Sequence, residues 1–201
     1  MSASVEWLFV ISGRGRLWRG DGNEASVDLV PDRSIRIAPG TPTQFRADDA
    51  TVLEIVVAVV PAVSDPMSGE AQLQVWDPAP DDKSRSYRAP DGSHILTMGE
   101  GPAGGVAICI LKPGGVSRPV RHRTVEEIWY VVNGSGQISR RHGTLNPWID
   151  DLSPGTAVDI GTGLTFQFRS SGTEPLRVVI LTLPRWPGAD ESIDEPGLAT
   201  W

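Results

Sequence analysis

The sequence is nearly free of cysteine. Its one cysteine, Cys109, excludes an internal disulfide, which fits a reducing compartment. Cys109 lies within the apolar run 106–111, and this predicts a small core residue and not a nucleophile. The chain has 201 residues, of which 39% are hydrophobic, and this is long enough for one large or two small domains.

Long apolar runs and an excess of positive charge are also missing. No stretch approaches the roughly 20 apolar residues that a membrane-spanning helix needs. The net charge is −7, from 18 basic and 25 acidic residues, which argues against nucleic acid or an anionic membrane as a partner. The N-terminal residues do not have the layout of a secretion signal. We therefore expect a cytoplasmic protein with no nucleic-acid and no membrane partner.

Turn-forming residues are abundant, with 22 glycines and 17 prolines. They separate short alternating or β-branched segments, for example 5–11, 51–60 and 176–183. Short strands between turn residues at such regular intervals are typical of an all-β sandwich or barrel. Residues 63–92 differ because they are rich in proline and charge. A short helix or an edge strand is expected there only near 71–76.

The two halves of the chain resemble each other. Residues 6–19, EWLFVISGRGRLWR, align with residues 127–140, EIWYVVNGSGQISR, and residues 31–46 align with residues 154–169. A duplication of this kind implies one supersecondary unit built twice. The repeat predicts four segments: a degenerate N-terminal repeat at 1–62, a connection at 63–92, a complete C-terminal domain at 93–185 and a tail at 186–201.

Residues 113–136, PGGVSRPVRHRTVEEIWYVVNGSG, carry a family resemblance. Their glycine turns, His122, Glu127 and the following alternating strand resemble the first conserved motif of the cupin superfamily. The resemblance implies all-β, double-stranded β-helix (jelly-roll) barrels and, with the repeat, a bicupin with a degenerate N-terminal barrel. The first copy begins at its glutamate and lacks the strands that precede this point in the second copy. Either residues 70–99 or a partner chain would complete it, and we expect a homodimer.

The usual metal ligands of the family are only half present. The template has histidines at the positions of Val120 and His122, a glutamate at Glu127 and, in its second motif, a histidine where this chain has Phe166. Two protein ligands are too few for an ordinary transition-metal site, which takes three or four. We therefore expect no metal and no other cofactor.

The same positions predict a pocket for a small molecule, because alternate residues of a strand share one face. We expect His122 and Glu127 to act as an acid–base dyad, in the manner of the metal-free cupins that resemble sugar-nucleotide epimerases. A hydrogen bond without catalytic role is the alternative for this pair. The predicted substrate-binding residues are Val120, Trp129, Val131, Phe166, Phe168, Arg121 and Arg123. The two arginines, with Arg118, would bind an anionic group or instead form salt bridges with Glu126 and the acidic tail.

These residues lead to three functional hypotheses. The first is a metal-independent cupin that binds a small organic molecule in the C-terminal barrel and catalyses isomerisation, epimerisation, dehydration or cyclisation. The second is a non-catalytic binding or regulatory cupin. The third is a metal-dependent dioxygenase or isomerase with unusual ligands. The fold alone does not decide between them, because cupins host many chemistries.

Overall fold

The structure is a computed structural model, and it describes residues 4–20, 26–61, 73–78, 82–198 and 201. Regular structure in these residues consists of strands, apart from one short 3₁₀ turn. The all-β class predicted from the sequence is therefore confirmed. The chain divides into two compact units, Met1–Ala79 and Pro80–Trp201, and the division falls inside the predicted connection 63–92.

The first unit contains two sheets. One has the strand order β6-β1-β4-β7 and the other β3-β2-β5. Their strands are β1 (Ser4–Ser12), β2 (Gly15–Arg19), β3 (Ser26–Leu29), β4 (Ser34–Ile37), β5 (Thr43–Ala47), β6 (Glu54–Pro61) and β7 (Leu73–Trp76). Aliphatic side chains from β1 to β4, such as Leu8, Leu17 and Ile35, form a buried core between the sheets.

The second unit contains a sheet of six strands and a sheet of five, in the orders β15-β12-β17-β10-β9-β8 and β14-β13-β16-β11-β18. The strands that precede the repeated segment are β8 (Ser86–Arg88), β9 (His94–Gly101), β10 (Gly104–Leu111) and β11 (Val120–His122). The others are β12 (Glu126–Asn133), β13 (Gly136–Arg141), β14 (Trp148–Leu152), β15 (Ala157–Ile160), β16 (Thr165–Ser170), β17 (Leu176–Leu183) and β18 (Ser192–Asp194). A larger apolar core from both sheets fills part of the space between them.

The sequence repeat reappears in the strand pairing. In the first unit β1 lies between β4 and β6, and in the second unit β12 lies between β15 and β17. The register also agrees, because Glu6 pairs with Ile37 as Glu127 pairs with Ile160. In the other sheet β2 lies between β3 and β5, as β13 lies between β14 and β16. The duplicated segment therefore encodes the same six-strand arrangement twice.

Glycine is required at the hairpin that both copies share. Gly13 and Gly134 have φ angles of 82° and 79°, in the left-handed region that other residues avoid. A Cβ atom on Gly136 would lie 2.1 Å from the carbonyl oxygen of Arg169, and one on Gly15 would lie 2.4 Å from that of Arg46. Glycine at these two positions therefore permits a close backbone approach between paired strands of one sheet, β13 with β16 and β2 with β5.

The units differ in what surrounds the six shared strands. In the second unit β10 pairs with the edge of β17 that does not pair with β12. The corresponding strand of the first unit, β6, is an edge strand of its sheet among the described residues. Residues 73–76 form an edge strand on β4, which is one of the two structures expected near 71–76. Part of that segment and of the predicted connection lies outside the described residues. The described chain contains no helix of the length and apolar character needed to span a membrane.

Candidate functional site

The second unit contains a cavity of about 600 Å³ between its two sheets. Strands β11, β12, β16 and β17 contribute side chains to its wall, and among these are Val120, His122, Glu127, Trp129, Phe166 and Thr182. Residues from outside these strands also line the cavity, among them Tyr87 on β8, Asp91 in the loop between β8 and β9, Trp186 after β17, and the arginines Arg88 and Arg118. Five of the predicted site residues are therefore brought together around one cavity.

His122 is buried at the end of β11, with 4% of its surface exposed. Its imidazole packs edge-on against Phe166 and Trp186, with ring centroids 5.2 and 5.1 Å apart. Nδ1 is buried and has no hydrogen-bond partner among the described residues. Burial lowers the pKa of His122 to about 4, although the charges of Glu191 and Asp91 act in the opposite direction. The ring is therefore neutral at pH 7 and can accept a proton or a hydrogen bond.

Glu127 is buried on β12, where alternation places it on the same face as Trp129. Its Oε2 accepts a hydrogen bond from Trp129 Nε1 at 2.8 Å. Its Oε1 accepts one at 3.3 Å from Thr182, its partner residue on β17. Burial raises the pKa of Glu127 to about 7; the two hydrogen bonds oppose this shift and the charge of Asp91 adds to it. Near neutral pH this carboxyl group can therefore either hold or release a proton.

The predicted pairing of His122 with Glu127 is not seen as a direct contact. Every hydrogen bond of Glu127 goes to Trp129 or Thr182, and none joins it to His122 in the described chain. The carboxylates whose charges act on His122 belong to Glu191 and Asp91. The physical reason is the register of β12 and β17, which places Thr182 opposite Glu127. The Thr182 hydroxyl therefore donates to the Glu127 carboxylate within the six-stranded sheet.

Asp91 is a buried acid that the sequence did not single out. Its Oδ1 accepts hydrogen bonds from the backbone N–H and the hydroxyl of Ser93, at 2.8 and 2.7 Å. Its own carbonyl oxygen accepts a bond from the N–H of Arg118. Burial raises the pKa of Asp91, while the bonds from Ser93 act to lower it. The Asp-x-Ser spacing, which is typical of a turn, was the only available signal for this residue.

Residues 186–194 form a closing segment across one end of the barrel. Its last strand, β18, pairs with β11, and Ser192 lies opposite His122. The buried carboxylate of Glu191 accepts hydrogen bonds from the backbone N–H groups of Thr124 and Val125 and from the hydroxyl of Thr124. Burial acts to raise the pKa of Glu191, but these bonds outweigh it and leave the pKa lowered. The segment thus holds the loop after His122 in place.

Arg121 and Arg123 lie on the outer surface of the second unit. Arg121 points away from Val120 and His122, and its Nε donates to Glu195 at 2.6 Å. Arg123 donates through Nε to the carbonyl oxygen of Asp190. Neither is among the residues that line the cavity, and their assignment as substrate-binding residues stays a prediction. They pair with the acidic tail, the other role considered from the sequence.

Val131 and Phe168 also lie outside the cavity, in the core. Both are fully buried. Trp129 separates Phe168 from the cavity, since the two rings meet edge to face at 4.8 Å. Alternation correctly placed Val131 and Phe168 on the inward face, but it could not reveal that the indole of Trp129 fills the space in front of Phe168.

Tyr87 is the tyrosine of the cavity wall, whereas Tyr130 lies on the opposite face of β12 from Glu127 and Trp129. The side chain of Tyr87 is about half exposed. Desolvation raises its pKa to about 12, and the charge of Glu127 adds to the shift. The phenol therefore stays protonated and is available as a hydrogen-bond donor.

A metal ion requires several coordinating side chains close together. No group of three or more His, Cys, Asp or Glu side chains in this part of the chain is arranged to hold one. Val120 and Phe166, which are neighbours on β11 and β16, stand at two of the four ligand positions of the cupin template. Neither side chain has an atom that can coordinate a metal ion.

Comparison with known proteins identifies the fold. No sequence-family model and no curated protein matches the chain. Its structure is similar to that of oxalate decarboxylase from Lactobacillus farciminis in a formate complex, with a TM-score of 0.68 and 15% identity over 96% of this chain and 75% of that chain. It is also similar to oxalate decarboxylase from Bacillus subtilis (TM-score 0.66, 12% identity, 96% of this chain and 65% of that chain).

A third similar structure is the coconut allergen cocosin, with a TM-score of 0.68 and 11% identity over 91% of this chain and 73% of that chain. The chain thus spans between about two thirds and three quarters of the length of these three proteins. At such low identity the likeness shows the fold alone. The fold is the cupin jelly roll, as the sequence predicted.

Proposed function

We propose that the second unit binds a small organic molecule in its cavity and catalyses proton transfer on it without a metal ion. The observation that carries the proposal is the cavity itself: about 600 Å³, walled by aromatic and aliphatic side chains, with a few buried polar groups. Small-molecule sites are typically concave and mostly apolar, with volumes of about 300–1,000 Å³ and a few convergent polar groups.

Proton transfer is supported by the two titratable groups of the cavity. His122, with its pKa lowered to about 4, is a neutral acceptor at pH 7. Glu127, with its pKa raised to about 7, is a candidate donor. Titratable groups whose pKa values are shifted apart by their surroundings are typical of acid–base catalysis. Because they do not bond to each other, we assign them separate roles at two points of a bound molecule, as base and acid in an isomerisation, epimerisation, dehydration or cyclisation.

Metal independence is supported by the donor set. Val120 and Phe166 replace two family ligands, so His122 and Glu127 are the two that remain. An ordinary zinc, iron or manganese site uses three or four protein donors. We expect elemental analysis of the purified protein to give substoichiometric metal. A stoichiometric transition metal would contradict this part of the proposal and favour a metal-dependent dioxygenase or isomerase.

The test of catalysis is proton exchange observed by NMR. Full-length protein is incubated in D₂O with a library of small molecules, where line broadening reports binding and loss of a C–H signal reports proton transfer. We expect a compound that both binds and exchanges, and we expect His122→Gln to abolish the exchange. Glu126→Gln removes an exposed neighbouring carboxylate and should leave it unchanged. If no library compound binds, the proposal is rejected.

A non-catalytic binding cupin is the second candidate, and one observation favours it. His122 and Glu127 lack the direct hydrogen bond that would activate the imidazole as a base. Binding without exchange across the library would support this candidate over an enzyme. The homodimer, the bicupin organisation and the cytoplasmic location stay predictions.

A further inference from the structure

Two buried acids of the cavity wall, Asp91 and Glu127, have acceptor capacity that the described residues leave open. Asp91 uses Oδ1 for Ser93, and its Oδ2 has no donor among the described residues. Glu127 accepts one bond on each oxygen, and the one from Thr182 is long, at 3.3 Å. A carboxylate has about four lone-pair sites in all. Both acids can therefore accept further hydrogen bonds from a bound molecule.

Arg88 and Arg118 line the cavity, but in the described chain neither forms a salt bridge with Asp91 or Glu127, and the charge of Arg118 makes only the smallest contribution that lowers the pKa of Asp91. Arg88 donates to the carbonyl oxygen of Gly92, and Arg118 donates to that of Pro90. The side chain of Arg118 is 60% exposed and its guanidinium lies near Asp194 at the surface. His122 lines the same cavity as a neutral ring, and its Nδ1 is unpartnered in the described chain although the residue is more than nine-tenths buried. Buried carboxylates without a cationic partner are costly.

The remaining wall suits the body of an organic cation. The rings of Trp129, Phe166 and Trp186 line the cavity, and Tyr87 completes an aromatic wall. Aromatic faces attract cationic nitrogen atoms because their quadrupole is negative above the ring. An anionic molecule would instead meet the charges of Asp91 and Glu127 at close range.

We propose that the ligand of this cavity is an organic amine whose protonated nitrogen lies against Asp91 and Glu127 and whose apolar body packs on the aromatic wall. This inference rests on the proposed function, because it names the ligand class of the same cavity. The amine supplies N–H donors to the open lone pairs of both acids and to the free acceptor capacity of His122. It also brings a positive charge next to both acids, neither of which forms a salt bridge in the described chain.

The test compares three compounds of similar size: 2-phenylethylamine, 2-phenylethanol and phenylacetate. Isothermal calorimetry on the full chain at pH 8, where Glu127 is ionised, should give the amine an affinity about tenfold or more above the other two, equal to about 1.4 kcal/mol. Glu127→Gln and Asp91→Asn should each remove most of that preference while keeping the alcohol's affinity. Glu126→Gln, an exposed carboxylate next in sequence to Glu127, should preserve it.

The outcomes separate the two proposals. Equal or tighter binding of the alcohol or of phenylacetate overturns the amine assignment and leaves small-molecule binding intact. A preference for the amine that survives Glu127→Gln overturns the assignment as well, even if Asp91→Asn does not fold. Binding of none of the three, together with no binding in the library screen, overturns both proposals.

Discussion

Replacing His122 by glutamine should change the way in which the stability of the second unit depends on pH. In the folded state burial lowers the pKa of His122 from 6.5 to about 4. The stability that comes from keeping this ring neutral is fully present above pH 6.5. It is lost as the pH falls through 4, because the unfolded chain binds the proton more readily.

Glu127 has the opposite effect over nearly the same range. Burial raises its pKa from 4.5 to about 7. Its contribution is fully present below pH 4.5 and is lost as the pH rises through 7, because the unfolded chain then ionises at less cost. At about 1.4 kcal/mol per unit of pKa, each group changes the free energy of unfolding by about 2.5 kcal/mol between pH 4.5 and 7. In the wild-type protein the two contributions therefore nearly cancel.

The variants separate these contributions. As the pH rises from 4.5 to 7, the free energy of unfolding of His122→Gln should fall by about 2.5 kcal/mol relative to wild type. That of Glu127→Gln should rise by about as much, and the double variant should have the wild-type pH dependence. Asp91, whose pKa is also raised, is present in every variant, and its charge acts on both His122 and Glu127.

The assay is backbone-amide hydrogen exchange in β12 and β17 of the full chain, supported by urea unfolding at both pH values. Exchange in these strands reports the opening of the second unit separately from the first. If His122→Gln shows the wild-type pH dependence, or becomes relatively more stable as the pH rises, the argument that burial keeps this imidazole neutral is refuted.

Two further predictions concern the hairpin glycines and the closing segment. Gly136→Ala should lower the free energy of unfolding in urea by about 1–3 kcal/mol, because its Cβ would lie 2.1 Å from a carbonyl oxygen. Gly161→Ala, whose Cβ would have no atom of the described residues within 4 Å, should lower it by less than about 0.5 kcal/mol. Equal effects of the two variants would contradict this prediction. Trp186→Ala should hydrate His122 and raise its pKa from about 4 towards 6.5, as an NMR titration of the three histidines would show. Trp148→Ala, on β14, should leave that pKa unchanged, and a shift in this control alone would contradict the assignment.

The sequence was informative wherever short-range pattern decides structure. The alternation of β12 correctly predicted that Glu127 and Trp129 share the inward face, and the turn glycines correctly predicted the hairpin after it. Val120 and Phe166, placed together by the motif alignment, are paired residues on β11 and β16. These relations follow from a strand period of two residues and from backbone sterics.

The partners of the two titratable groups could not be predicted in this way. Glu191 binds the loop at Thr124, more than sixty residues earlier in the chain, and Asp91 reaches the cavity from a proline-rich loop. Neither segment has a periodic pattern, so nothing in the sequence indicates which way its side chains point. The predicted contact of His122 with Glu127 is not observed for a related reason. Glu127 pairs with Thr182, and the register of β12 and β17 depends on contacts between residues far apart in the sequence.

The closing segment and the loop that carries Asp91 affect how the cavity of the second unit can change during evolution. Strands β9 to β17 supply the barrel, whereas Tyr87, Asp91, Trp186 and Glu191 all come from segments outside the predicted domain 93–185. A fragment cut at those borders would keep the barrel strands from β9 to β17 and discard these groups. Mutation or recombination in the two flanking segments can thus give the cavity a different chemistry while the barrel strands stay unaltered.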